Sequence, residues 1–66
     1  MHVTVNGENL ELAAGSSLLD LLEQVGKEPA HLAIEHNGEV LDQAGMARTV
    51  LREHDRLEIV HFVGGG

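Results

Sequence analysis

Two asparagine-glycine pairs, Asn6-Gly7 and Asn37-Gly38, each stand between short stretches whose apolar residues recur at every second position. Asn-Gly readily places two successive residues at positive φ, which the tight turn that folds one strand back on the next requires. Before the first pair His2 and Thr4 alternate with Val3 and Val5, and after it Leu10 and Leu12 resume the period of two. Around the second pair, Leu32 and Ile34 alternate with Ala33 and Glu35, and Glu39-Val40-Leu41 follows. Each pattern predicts an antiparallel hairpin. Between them lies a segment with another period: Leu18, Leu21, Leu22 and Val25 fall at i, i+3, i+4 and i+7, while Asp20, Glu23 and Gln24 point away. That spacing predicts a helix over about 17–25, with Ser16-Ser17 offering the N-cap, Asp20 in the first turn, and Gly26 and Pro29 as stop signals.

The second half is less regular. In 42–52, Met46, Val50 and Leu51 could form one apolar edge of a short helix or an irregular turn, with Arg48 and Arg52 outward. Residues 56–63, after the turn Glu53-His54-Asp55, are β-rich and predict the last strand. A helix inserted after one hairpin must cover a face of the sheet, and the first and last strands, both apolar on alternate residues, are natural central neighbours. The expected fold is therefore α+β: a β-grasp, with a mixed four- to five-stranded sheet and one helix packed across one face. The expected core is Val3, Val5, Leu10, Leu12, Leu18, Leu21, Leu22, Val25, Leu32, Ile34, Val40, Leu51, Leu57 and Ile59. At about 1.5–3 kcal/mol per buried aliphatic side chain, this set roughly offsets the ordering entropy of so short a chain.

Composition narrows the functional classes. Sixty-six residues without cysteine form one domain that must rely on its apolar core, and no side-chain thiol is present to carry sulfur chemistry. Eleven acidic against four basic side chains, a net charge of −7, disfavour nucleic acid and anionic lipid and favour an electropositive protein surface. No apolar run approaches the roughly 18 residues of a membrane helix, and the start MHVTVNGENL lacks the layout of a signal peptide. The expectation is a cytoplasmic protein without a membrane partner, monomeric when free.

The end of the chain differs from the rest. If Leu57 and Ile59 face the helix, Glu58, Val60 and Phe62 face the open side of the sheet. Exposed apolar residues are common, and the strand end could curl inward; the adjacency of Phe62, the only aromatic residue, to Gly64-Gly65-Gly66 favours a docking patch instead. The division expected is a β-grasp domain over 1–63 and a flexible glycine tail over 64–66. Glycine-rich ends also arise from fraying or from expression scars. A tail without side chains, however, is the narrowest substrate a polypeptide can offer an enclosed active site: three residues reach at most about 10 Å through a constriction that any Cβ would block. A carboxylate there becomes electrophilic once a nucleotide converts one oxygen into a leaving group, after which sulfur can attack the carbonyl carbon.

No catalytic triad spacing, phosphate loop, GxGxxG or HExxH motif is present, so no residue is assigned a catalytic role. His2, His31, His36, His54 and His61 show no ligand spacing; neighbouring strands could bring His2 near His61, but solvated positions are the expectation, with no metal. Glu8, Glu11, Glu35, Glu39 and Asp42 read as a solvated face that can steer a partner.

Arg56-Leu57-Glu58-Ile59-Val60-His61-Phe62-Val63-Gly64-Gly65-Gly66, with Ala33-Ile34-Glu35-His36-Asn37-Gly38-Glu39-Val40 upstream, resembles the thiamine-pathway sulfur carrier proteins, the ThiS family of ubiquitin-like β-grasp domains, along the whole chain. The resemblance implies a co-substrate and not an enzyme. Gly66 would carry the sulfur as a thiocarboxylate after adenylation, with Gly65, Gly64, Val63, Phe62 and Val60 forming the tail and its docking patch. It implies three partners: a ubiquitin-activating-like adenylating enzyme that consumes ATP, a sulfur donor such as a cysteine desulfurase, and thiazole synthase. No cofactor would be bound by the carrier itself. Alternatives on the same scaffold are a carrier for molybdopterin or another sulfur pathway, and a ubiquitin-like protein modifier. A β-grasp module that binds RNA is disfavoured by the charge and by the single lysine, Lys27. One departure from the family pattern is His54, in a turn where relatives carry a Glu-Gly-Asp type; histidine tolerates positive φ, so only the local turn is put in question.

Overall fold

The computed structural model describes residues 1–61. Strands β1 (His2–Val5) and β2 (Glu8–Glu11) form the first hairpin, and helix α1 (Leu18–Val25) follows. A short 3-10 turn (Pro29–His31) leads into β3 (Leu32–His36) and β4 (Glu39–Leu41), then helix α2 (Gln43–Arg48) and β5 (Arg56–His61). The sheet order is β2-β1-β5-β3-β4. The last strand in the chain thus lies at the centre, parallel to β1 and antiparallel to β3. With α1 across one face, this is the ubiquitin-like β-grasp architecture.

Local signals act as expected. Asn6 and Gly7 adopt φ of 49° and 83°, Asn37 and Gly38 φ of 51° and 88°, so both turns take the doubly left-handed form that suits a twisted hairpin. Ser17 caps α1, accepting from the Asp20 N–H at 3.1 Å while the Asp20 carboxylate accepts from the Ser17 N–H at 2.9 Å. Gly26 ends the helix at φ 73°. His54 sits at φ 69°, the left-handed conformation that its turn requires.

The core joins Val3, Leu12, Leu18, Leu21, Leu22, Leu32, Ile34, Leu51, Leu57 and Ile59, with Val5, Leu10 and Val25 half-buried against it. Val40 is a correction: it is 72% exposed. Its partner across the hairpin is Glu35, which faces out, so the shared register turns Val40 out and directs Leu41, opposite Ile34, toward the core. In 42–52 a helix forms, capped by Asp42, which accepts from the Gly45 N–H at 2.7 Å. Met46 is buried in the core, whereas Val50 is exposed and Arg52 lies beyond the helix. The reason is that the chain after Arg48 is drawn toward the start of α1: Leu18 N–H donates to the Thr49 carbonyl and Leu51 N–H to the Ser16 carbonyl, both at 2.9 Å.

Candidate functional site

Strand β5 is the element that leads toward the glycine tail. Leu57 and Ile59 are buried, while Glu58 and Val60 face away from α1, as the period of two predicts. Val60 is exposed on the open face. Phe62, Val63, Gly64, Gly65 and Gly66 lie outside the described residues, so the expectations placed on them, and the division of the chain at residue 63, carry no structural account.

The open face gathers residues that are far apart in the chain. Val60 is paired with Ala33, Glu58 with Glu35, and Glu35 with Val40. The face therefore carries two exposed valines on either side of two carboxylates from directly opposed positions. Like charges in direct cross-strand register oppose folding, and none of the described residues forms an ion pair with either glutamate. An incoming cation would relieve that repulsion.

A polar knot fixes the start of β5. Asp55, only 7% exposed, accepts from the Arg52 N–H at 2.9 Å and from Asn37 Nδ2 at 3.0 Å, and its Oδ2 lies 2.9 Å from His36 Nε2. Asn37 completes the link by accepting the Arg56 N–H at 2.8 Å. Burial alone would raise the Asp55 carboxyl; the hydrogen bonds from Asn37, His36 and Arg52 outweigh it and hold the group below its ordinary value. His36, expected in solvent, is half-buried and joined to Asp55. Nothing in the spacing of these residues pointed to the knot, because His36 and Asn37 stand 19 and 18 positions before Asp55 and meet it only when β5 inserts beside β3.

The remaining histidines assemble no site. His2 touches Glu11 and Glu53, each at 3.4 Å, on exposed surface. The His2 N–H, 2.9 Å from Glu53 Oε1, is the main cause holding the Glu53 carboxyl below its ordinary value. His2 and His61 are not neighbours: the parallel register places Thr4 beside Arg56, so His61 lies seven positions along from the level of His2, about 23 Å at the rise of a strand. Among the described residues no group of three or more His, Asp or Glu could hold a metal ion. Glu8, Glu11, Glu35, Glu39 and Asp42 are all exposed. An open groove of about 280 Å³ lies between the first hairpin and the end of α1, floored by Val5, Leu10 and Val25 and edged by Glu8 and Lys27. No helix among the described residues is long and apolar enough to cross a membrane.

Comparisons with known proteins agree with this architecture. A crystal structure of a thiamine biosynthesis protein (ThiS) from Geobacter metallireducens superposes with a TM-score of 0.82 at 30% identity, covering the whole of both chains. The chain is 39% identical to a stretch of a thiazole synthase from Magnetococcus marinus and 33% identical to one from Paramagnetospirillum magneticum. It spans 20% of the length of each of these two relatives. It also aligns over its full length with the whole of the sulfur carrier protein ThiS of Escherichia coli, at 24% identity. The ThiS family model matches residues 3–66, so the alignment runs from the first strand through the glycine tail, and the chain belongs to the ThiS family.

Proposed function

We propose that this protein is a sulfur carrier of thiamine biosynthesis whose reactive group is the Gly66 carboxylate. The observation that carries the reading is the family match, which runs through Gly66, on a β-grasp body. In the proposed sequence a ubiquitin-activating-like enzyme first joins a carboxylate oxygen to the α-phosphorus of ATP. Pyrophosphate leaves and the glycyl adenylate remains. The terminal sulfur of a desulfurase persulfide, originating from cysteine, then attacks the carbonyl carbon and AMP leaves. A second thiol cleaves the resulting acyl disulfide, is itself oxidised to a disulfide, and releases the thiocarboxylate. That sulfur passes to thiazole synthase, a partnership supported by the stretch resembling this chain within two proteins of that name. The carrier contributes no catalytic residue and binds no cofactor; ATP is consumed by its activating enzyme.

The open face of the sheet is the proposed docking surface, with Val60, Phe62 and Val63 leading into Gly64 and Gly65. Val60 is exposed there beside the opposed pair Glu35 and Glu58. A partner bearing arginine or lysine flanked by apolar side chains meets both features, and the charge of −7 assists its approach.

The test is intact-mass analysis of the chain ending at Gly66 after incubation with ATP, the activating enzyme, a cysteine desulfurase, cysteine and a thiol reductant. Exchange of one oxygen for sulfur is expected, and none in a chain lacking Gly66. An unchanged mass, under conditions where the Escherichia coli carrier is converted, would end this reading.

A further inference from the structure

Asn6 makes a contact that its turn does not require. Strand β1 ends at Val5 and the chain reverses at Gly7, whereas β5 continues to His61. Along the edge of β5 that faces β1, the Asp55 carbonyl accepts the Thr4 N–H and the Leu57 carbonyl accepts the Asn6 N–H, both at 2.9 Å. The next peptide groups on that edge, at Ile59, lie beyond the last residue of β1. The Asn6 side chain takes the place of the missing strand: its Oδ1 accepts the Ile59 N–H at 2.7 Å and its Nδ2 donates to the Ile59 carbonyl at 3.0 Å. One residue thus supplies two consecutive rungs of the parallel ladder, the second from a side-chain amide that offers one donor and one acceptor as a peptide does.

We propose that Asn6 is a positioning residue for the reactive end of the chain: among the described residues, the last hold on β5 from the β1 side. The proposal rests on the carrier reading above. If an activating enzyme grips the body of the domain and draws the last residues inward, the point at which the sheet ends sets where the Gly66 carboxylate arrives. Without that hold β5 is retained from Ile59 to His61 by β3 alone, and a displacement of its end by one strand rise is about 3.3 Å. Reacting atoms must approach to about 3–3.5 Å, so a shift of one residue is enough to misplace the carboxylate. Docking through the open face is unaffected, because Asn6 is not part of the patch formed by Val60, Ala33, Glu35, Glu58 and Val40. The expected signature is therefore a loss in kcat for adenylation with KM for the carrier unchanged.

Asn37 provides the control. It occupies the same position in the other turn, and it too uses its side chain on β5, but at Arg56 and Asp55, the end remote from the tail. Asn6→Gly and Asn37→Gly both keep a residue that accepts positive φ while removing the side-chain hold. Two measurements are made on each folded variant. In amide hydrogen exchange, Asn6→Gly is expected to speed exchange at Ile59 roughly ten-fold or more relative to the wild type, the effect of losing two hydrogen bonds, while Asn37→Gly leaves Ile59 protected. In ATP-pyrophosphate exchange with the activating enzyme, Asn6→Gly is expected to lower kcat several-fold at constant KM, and Asn37→Gly to retain the wild-type kcat. Unchanged Ile59 exchange in Asn6→Gly, an undiminished kcat, or an equal fall in both variants overturns the proposal. A wild-type chain that is not adenylated at all removes the carrier reading itself, while the exchange result still reports whether Asn6 holds β5.

Discussion

The polar knot around Asp55 should contribute a large share of the stability of this small domain, and its removal gives a direct check. Asp55→Ala deletes the acceptor of three contacts: Arg52 N–H at 2.9 Å, Asn37 Nδ2 at 3.0 Å and His36 Nε2 at 2.9 Å. A hydrogen bond to a charged group contributes about 1.5–3 kcal/mol net, but water can reach the freed donors at exposed Arg52 and Asn37, so the expected sum is roughly 3 kcal/mol. A domain of 66 residues has a total stability of about 3–10 kcal/mol, so the loss is a large fraction of the whole. At about 4–8 °C per kcal/mol, Tm falls by roughly 12–24 °C. The chain has no Trp or Tyr, so urea unfolding is followed by far-ultraviolet circular dichroism. The pH dependence supplies the second reading. Because the folded carboxyl is held below its ordinary value of 3.8, the knot contributes in full above that pH, and its contribution is lost as pH falls through the lower folded value. Asp55→Asn, which cannot ionise, should be weaker at pH 7 and should lack this part of the acid loss. A cost for Asp55→Ala below about 0.5 kcal/mol, or an acid limb in Asp55→Asn as steep as in the wild type, would refute the reasoning.

Three further outcomes are expected. Glu58→Arg converts the repulsion with Glu35 into an attraction, so the isolated domain should gain about 0.2–1 kcal/mol while its affinity for the activating enzyme, read by calorimetric titration, falls. Ser17→Ala removes the capping box of α1 and should cost about 0.5–2 kcal/mol in urea unfolding. Leu21→Ala, at a position with no solvent exposure, should cost about 2–5 kcal/mol and leave a visible unfolded population in the ¹⁵N–¹H spectrum.

Much of the fold was legible in the chain because its decisive signals are local. The two Asn-Gly turns, the capping box of Ser17 and Asp20, the Gly26 stop and the alternation along β5 each act within a few residues, and each formed where it was read. Val40 was misplaced because an apolar residue in a three-residue strand says little about which face it takes; the register against Glu35 decides that. Of the possible apolar edge Met46, Val50 and Leu51, Val50 is exposed because Leu18 bonds to Thr49 after α2 and Leu51 to Ser16 before α1, which fixes the path of the chain between them. For the candidate site, the exposure of Val60 followed from the period of two, whereas the apposition of Glu35 and Glu58 could not be read, because it depends on which strand lies beside β5.

By itself, then, the sequence determined the strands, the first helix, the helix-covered face of the sheet, and the family signature that ends in three glycines, since turn chemistry, periodicity and composition are properties of short stretches. Only the tertiary structure decided what those stretches do to one another. Inserting β5 between β1 and β3 turned two turn-forming asparagines into clamps on its two ends, buried Asp55 against His36 and Asn37 of the second hairpin, and set two carboxylates side by side on the open face. Each of these joins residues about 18 to 53 positions apart, and chain closure over such distances leaves no trace in any local window.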